Sequence, residues 1–217
     1  MRRKTQALTV AMVVSFIAFF SVLALVVSGV TQSLDAAVAR HVQADVGSSS
    51  VTAVMKVVTT VFRPLVLGGI AVALGIILLL RHRWADSIPL LVGVAGGAFL
   101  VLPIKDLVHR LRPPVTIVSE TGFSFPSDHA TVVLLFCGTL LVLFLPGVRS
   151  RVWRWVFLVM AGVLIVLVSF SRIYLDVHWF SDIIGGWFLG AGWLCVCLLL
   201  RSALTDLLER RKKKEAV

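Results

Sequence analysis

Residues 105–129 read KDLVHRLRPPVTIVSETGFSFPSDH, from Lys105 to His129. The stretch holds Lys105, His109, Arg110, Arg112 and the tetrad Pro126-Ser127-Asp128-His129, and long apolar runs flank it on both sides. A charged side chain at membrane depth costs at least about 2.5–3.5 kcal/mol, so a cluster of them calls for a functional explanation. The flanking runs decide the fold class. Of the 217 residues, 59% are hydrophobic and 15% charged. Mean hydropathy is +0.99. A soluble domain is roughly half apolar and about a quarter charged. The apolar residues fall in blocks of the length needed to cross a bilayer, about 20 residues each. The expected fold is all-α: one polytopic membrane bundle of six transmembrane helices, a single domain over residues 1–217.

Working outward, the expected spans are 7–30, 52–80, 88–108, 127–145, 155–170 and 183–200. Arg2, Arg3 and Lys4 precede the first run. That run exceeds the roughly 7–15 residues of a signal-peptide core, so it reads as an uncleaved span. Residues 31–51 are more polar. Leu34, Ala37, Val38, His41 and Val42 recur at helical spacing, which predicts an extracytoplasmic amphipathic helix on the membrane surface. Gly47 to Ser50 is a break where a serine can cap the next helix. Arg63-Pro64 interrupts span two, with Arg63 read as snorkelling outward. Gly93, Gly96, Gly97, Gly185 and Gly186 are small residues that let helices approach closely. Cys137, Cys195 and Cys197 lie within apolar runs and read as packing residues.

The net charge is +10. In a soluble protein this suggests nucleic acid. Here 14 of the 21 Lys and Arg residues lie at the N-terminus, at 81–83, at 149–154 and in the tail. Topology explains such a bias, so no nucleic-acid partner is expected. The positive-inside rule puts both termini and the basic tail, 201–217, in the cytoplasm. The polar clusters then face outward.

The first cluster combines cations with a helix start. Lys105 and Arg112 are seven residues apart, about two helical turns, which predicts that both project from one helix face ended by Pro113. Asp106 points elsewhere. Cations on one face suit an anion; a pair touching lipid headgroups is the plainer reading. Ser127 opens span four, where free backbone amides and the helix dipole favour a phosphate. His129 lies in the first turn, placed for proton exchange. The second cluster runs from Ser171 to Asp182. His178 and Asp182 are at i and i+4, and a carboxylate on one ring nitrogen leaves the other free to attack. Arg172 can fork onto a phosphate. A structural polar pair at a helix start is the plainer reading of His178 and Asp182.

Together the residues form an ordered pattern: Lys105 with Arg112-Pro113, then Pro126-Ser127-Asp128-His129, then Ser171-Arg172, His178 and Asp182. This resembles the type 2 phosphatidic acid phosphatase family of integral-membrane lipid phosphatases. The resemblance implies a metal-independent phosphohydrolase without cofactor, its catalytic motifs within 105–182. It implies His178 as nucleophile through a phosphohistidine, Asp182 orienting it, and His129 as proton donor to the leaving group. Lys105, Arg112, Arg172, Ser127 and the amide of Asp128 would hold the phosphate. Asp128 departs from the usual Gly. Pro-Ser-Asp-His looks like the variant of bacitracin-resistance-type undecaprenyl diphosphate phosphatases, which tilts the expected substrate toward that carrier lipid. Phosphatidylglycerophosphate and phosphatidic acid are the alternatives. A non-catalytic lipid-binding or transport protein and a phosphotransferase are the rival classes. A bacterial inner-membrane location is expected.

Overall fold

The computed structural model describes residues 2–215. They form α1 (Arg2–Val27), α2 (Gln32–Val46), α3 (Ser49–Val61), α4 (Pro64–Leu80), α5 (Trp84–Val108), α6 (Asp128–Phe144), α7 (Arg151–Tyr174) and α8 (Phe180–Glu215). No strand occurs among the described residues. Among the described residues, six segments are long and apolar enough to cross a membrane: Arg3–Val27, Ser49–Leu80, Trp84–Val108, Asp128–Gly147, Arg151–Tyr174 and Phe180–Arg211. This is a multi-pass membrane protein. Backbone polar groups find no partner in lipid, so each crossing is helical. Large apolar side chains such as Ile17, Phe20, Phe99 and Trp155 point away from the bundle, as a lipid-facing surface requires.

The expected spans hold in number and shift at their ends for local reasons. Span two is two helices. Pro64 disfavours a helical Arg63, so α3 stops at Val61 and α4 restarts with proline in its first turn. Arg63 is exposed, as a snorkelling arginine would be. Span five starts at Arg151, earlier than its apolar run, because the Ser150 side chain caps it by accepting from the Trp153 amide. It also runs on through Ser171 and Arg172 to Tyr174. Span six continues as helix through the basic tail to Glu215; that tail is rich in Leu, Glu, Arg and Lys, all good helix formers.

The segment 31–51 is the largest correction. Its helix, α2, forms, and Ser48 caps α3 by accepting from the Val51 amide at 3.2 Å. The predicted face turns inward only in part: Val38 and Val42 pack against Ile173 and Ile183, while His41 is exposed. Leu34 is exposed and Asp35 is buried. Asp35 accepts from the Ser181 amide at 2.9 Å and from its hydroxyl at 2.7 Å. Gln43 donates to the Tyr174 carbonyl at 2.6 Å. The segment is thus fastened to α7 and α8 by polar contacts as well as by Val38 and Val42.

Two packed groups carry the bundle. Leu67, Ala71, Leu90, Val94, Val132, Val133 and Val168 join α4, α5, α6 and α7. Phe19, Val26, Val101, Phe125 and Leu189 join α1, α5 and α8. Lipid tails are as apolar as these side chains, so helices associate in a bilayer through close fit. A Cβ on Gly186 would lie 2.8 Å from the Ser127 carbonyl oxygen. That glycine lets the start of α8 lie directly on the start of α6. The Cys137 and Cys197 thiols are buried and unpaired, and Cys195 is half-buried, as packing residues would be.

Candidate active site

The first cluster does not lie on one helix. His109 takes a left-handed conformation (φ 51°), donates its amide to the Lys105 carbonyl, and ends α5 at Val108. The run to Pro113 is already non-helical, so Arg112 leaves the helix that carries Lys105. This corrects the predicted shared face. The two cations still converge, because the loop folds back. Arg112 donates to the carbonyls of Val177, Gly122 and Thr121 at 2.7, 3.1 and 3.1 Å, and its NH1 lies 3.3 Å from His178 Nε2. Burial pulls the Arg112 guanidinium below its ordinary pKa, against the opposing influence of Glu120 and Asp128. An arginine starts so high that it stays charged. Asp106 is exposed, as expected.

His178 sits in the turn between α7 and α8, and Asp182 in the first turn of α8. They are therefore not one continuous helical turn. Their side chains still meet, with Nδ1 3.3 Å from Asp182 Oδ2. Both are buried. Asp182 Oδ2 also accepts from the Trp179 amide at 2.9 Å. Arg110 donates to Asp182 Oδ1 at 2.5 Å, to Asp35 Oδ2 at 2.6 Å and to Ser181 Oγ at 2.7 Å. One guanidinium thus serves two buried carboxylates. Burying these charges is costly, and breaking such a set by removing one partner costs about 3–5 kcal/mol. With Asp182 accepting at Nδ1–H, the His178 lone pair is on Nε2, the nitrogen turned toward Arg112.

Ser127 caps α6: its Oγ accepts from the Ala130 amide at 3.5 Å, and its own amide donates to the Asp182 carbonyl at 3.1 Å. That bond joins the two clusters. Asp128 Oδ1 is the point on which the site closes. It lies 3.0 Å from the His129 amide, 3.3 Å from His129 Nδ1, 3.7 Å from His178 Nε2 and 4.0 Å from Lys105 Nζ.

Arg172 comes from the last turn of α7 and is 1% exposed. Its carbonyl accepts from the Val177 and His178 amides, both at 3.2 Å, fixing the turn that presents His178. Its guanidinium is not an open fork: NH1 donates to Thr59 Oγ1 at 2.5 Å and NH2 to Glu120 Oε1 at 2.6 Å. Its Nε is one of two buried polar side-chain atoms without a partner among the described residues. Burial raises the Glu120 pKa, but the hydrogen bond and charge of Arg172, with Arg112 nearby, outweigh it and hold the carboxyl below its ordinary value.

All eight residues singled out from the sequence thus gather at one end of the bundle. Arg110, Asp35 and Glu120 were not singled out, yet they hold the others in place. Glu120 had a weak signal, as the one charge between Arg112 and Asp128. No group of three or more His, Cys, Asp or Glu side chains placed to hold a metal occurs among the described residues.

Residues 86–206 match the PAP2 superfamily. The chain belongs to that superfamily. Among PAP2 relatives, phosphatidylglycerophosphatase B of Bacillus subtilis is 37% identical over 114 residues, 51% of this chain and 55% of that protein. An undecaprenyl-diphosphatase of Sulfolobus acidocaldarius is 40% identical over 94 residues, 40% of this chain and 41% of that one. The matched stretch thus spans about half the length of these curated relatives. A crystal structure of a transmembrane PAP2-type phosphatidylglycerolphosphate phosphatase from Bacillus subtilis superposes with a TM-score of 0.76 at 25% identity, covering 92% of this chain and 96% of that one.

Proposed function

We propose that this PAP2 protein is a metal-independent integral-membrane lipid phosphatase that works through a phosphohistidine at the extracytoplasmic face. The observation that carries the reading is His178: Asp182 takes one ring nitrogen, and the other faces Arg112 within a ring of donors. In the first step Nε2 of His178 attacks phosphorus, the bond from phosphorus to the lipid oxygen breaks, and His129 gives that oxygen a proton. In the second step His129 takes a proton from water, the water oxygen attacks phosphorus, and the phosphorus–nitrogen bond breaks to release phosphate. Lys105, Arg112, Arg172, the Ser127 hydroxyl and the Asp128 amide hold the phosphoryl oxygens as charge spreads over them. The unpartnered Nε of Arg172 supports this, since a buried donor calls for an acceptor.

The whole of residues 1–217 is one phosphatase domain on this reading, with catalytic motifs in 105–182. The distribution of basic residues supports cytoplasmic termini and an outward site, and the Bacillus relative supports an inner-membrane location in a bacterium. Undecaprenyl diphosphate, converted to undecaprenyl phosphate in carrier-lipid recycling, is the proposed substrate; the Pro-Ser-Asp-His tetrad and the Sulfolobus relative support it. The Bacillus relative and its structural counterpart favour phosphatidylglycerophosphate as the second reading. The test is phosphate release in detergent with EDTA present. Undecaprenyl diphosphate, phosphatidylglycerophosphate, phosphatidic acid and lysophosphatidic acid are compared at matched detergent ratios. Turnover led by undecaprenyl diphosphate and lost in His178→Ala is expected. Preference for a glycerolipid monophosphate would move the assignment to the second reading, and turnover unchanged in His178→Ala would remove the nucleophile.

A further inference from the structure

The site contains an anion of its own. Among the described residues, four cations line it. Arg110 is held by Asp35 and Asp182, Arg172 by Glu120, and Lys105 faces Asp128; Arg112 meets only carbonyls and His178. Asp35 and Asp182 belong to the buried frame. Asp128 is different: its side chain is 37% exposed, and its Oδ1 stands where Lys105, both histidines and the His129 amide converge. Lys105, His129 and the amide are donors a phosphoryl oxygen would seek, and His178 Nε2 is the atom that would meet phosphorus. A groove of about 350 Å³ runs to the same point, from Pro64, Ala98, Phe99 and Leu102 to Lys105 and Asp128. Its walls are apolar and its end is charged, which suits a lipid tail followed by an anionic head.

We propose that the Asp128 carboxylate is a resident anion of the phosphate site, occupying the position of a phosphoryl oxygen among Lys105, His129 and His178, so that an incoming phosphate must displace it. The inference rests on the lipid-phosphatase reading above. Like charges sharing one set of donors oppose each other. Asp128 therefore weakens the hold on any phosphoryl group by the same factor. A free phosphate has nothing to offset that loss, whereas a lipid adds the burial of its tail along the groove. The consequence is a site that releases inorganic phosphate readily once formed, while tail burial keeps the lipid bound.

The test uses the full-length protein in detergent, wild type beside Asp128→Asn and Asp128→Gly. Inorganic phosphate and orthovanadate are titrated as inhibitors, and their binding is followed independently by thermal shift. Removing the charge is expected to lower both inhibition constants about tenfold or more, and to lower KM for the lipid, without a matching fall in kcat. The glycine variant gives the same answer if the asparagine variant folds poorly. A fall in kcat with unchanged inhibition constants would overturn the proposal and make Asp128 a positioning residue for His129. Wild-type turnover combined with unchanged oxyanion binding in both variants would overturn it alone. Neither turnover nor oxyanion binding in any of the three proteins would overturn it together with the phosphatase reading.

Discussion

The site's two histidines each stand beside an aspartate at the same distance, and the two pairs are anchored very differently. His178 Nδ1 to Asp182 Oδ2 and His129 Nδ1 to Asp128 Oδ1 both measure 3.3 Å. Asp182 has no exposed side-chain surface and is gripped by Arg110 and the Trp179 amide. Asp128 is 37% exposed, and its cation, Lys105, is 4.0 Å away. A carboxylate held on both oxygens keeps one orientation and can hold a ring in one tautomer. A carboxylate held loosely on one oxygen can give up its place. The partners of an aspartate, more than its distance from a histidine, decide what it can do.

Neutralising each aspartate in turn separates the two pairs. Asp182→Asn is expected to lower kcat by about 10³-fold or more, because an amide no longer selects the Nδ1–H tautomer. Asp128→Asn is expected to leave kcat within a few-fold. Steady-state phosphate release on matched preparations checks both, and equal losses would erase the distinction. The next effect is on stability. Arg110→Ala leaves Asp35 and Asp182 without their shared cation. It is expected to cost about 3–5 kcal/mol, read as a lower melting temperature in detergent. An unchanged melting temperature would mean that Asp182 is not anchored as described.

The smallest expected effect concerns Glu120, the other partly exposed carboxylate on a site cation. Its folded-state pKa is depressed, so its pairing with Arg172 stabilises the protein above the ordinary carboxylate pKa. That contribution is lost as pH falls through the depressed value. Glu120→Gln is expected to flatten this acid-side decline in melting temperature, by an amount under about 1 kcal/mol. A variant that tracks wild type across the whole acid range would remove the ion pair from consideration.

Much of this arrangement was legible in the sequence because it is local. Hydropathy reveals spans whatever their partners, and Lys105, Arg112, Ser127, His129, Arg172, His178 and Asp182 fall at recognisable spacings. What escaped depends on long-range contacts or on single backbone choices. Arg110 reaches Asp35 across 75 positions, and nothing near Asp35 announces a partner. The helix end at His109 turns on one left-handed residue that is not glycine, so Lys105 and Arg112 looked like neighbours on a face they do not share. Asp128 was visible as a departure from a pattern, but the groups that surround its oxygen come from three separate parts of the chain.

On the proposed mechanism His178 carries the phosphoryl group. The direct measurement is rapid acid-free quenching of the full-length protein with a lipid diphosphate labelled on its terminal phosphate, followed by mapping of the label. The expected result is a base-stable, acid-labile phosphoprotein on His178 that accumulates in His129→Ala, where water attack is slowed, and is absent from His178→Ala. Label on another residue, or turnover without any labelled protein in both wild type and His129→Ala, would contradict it.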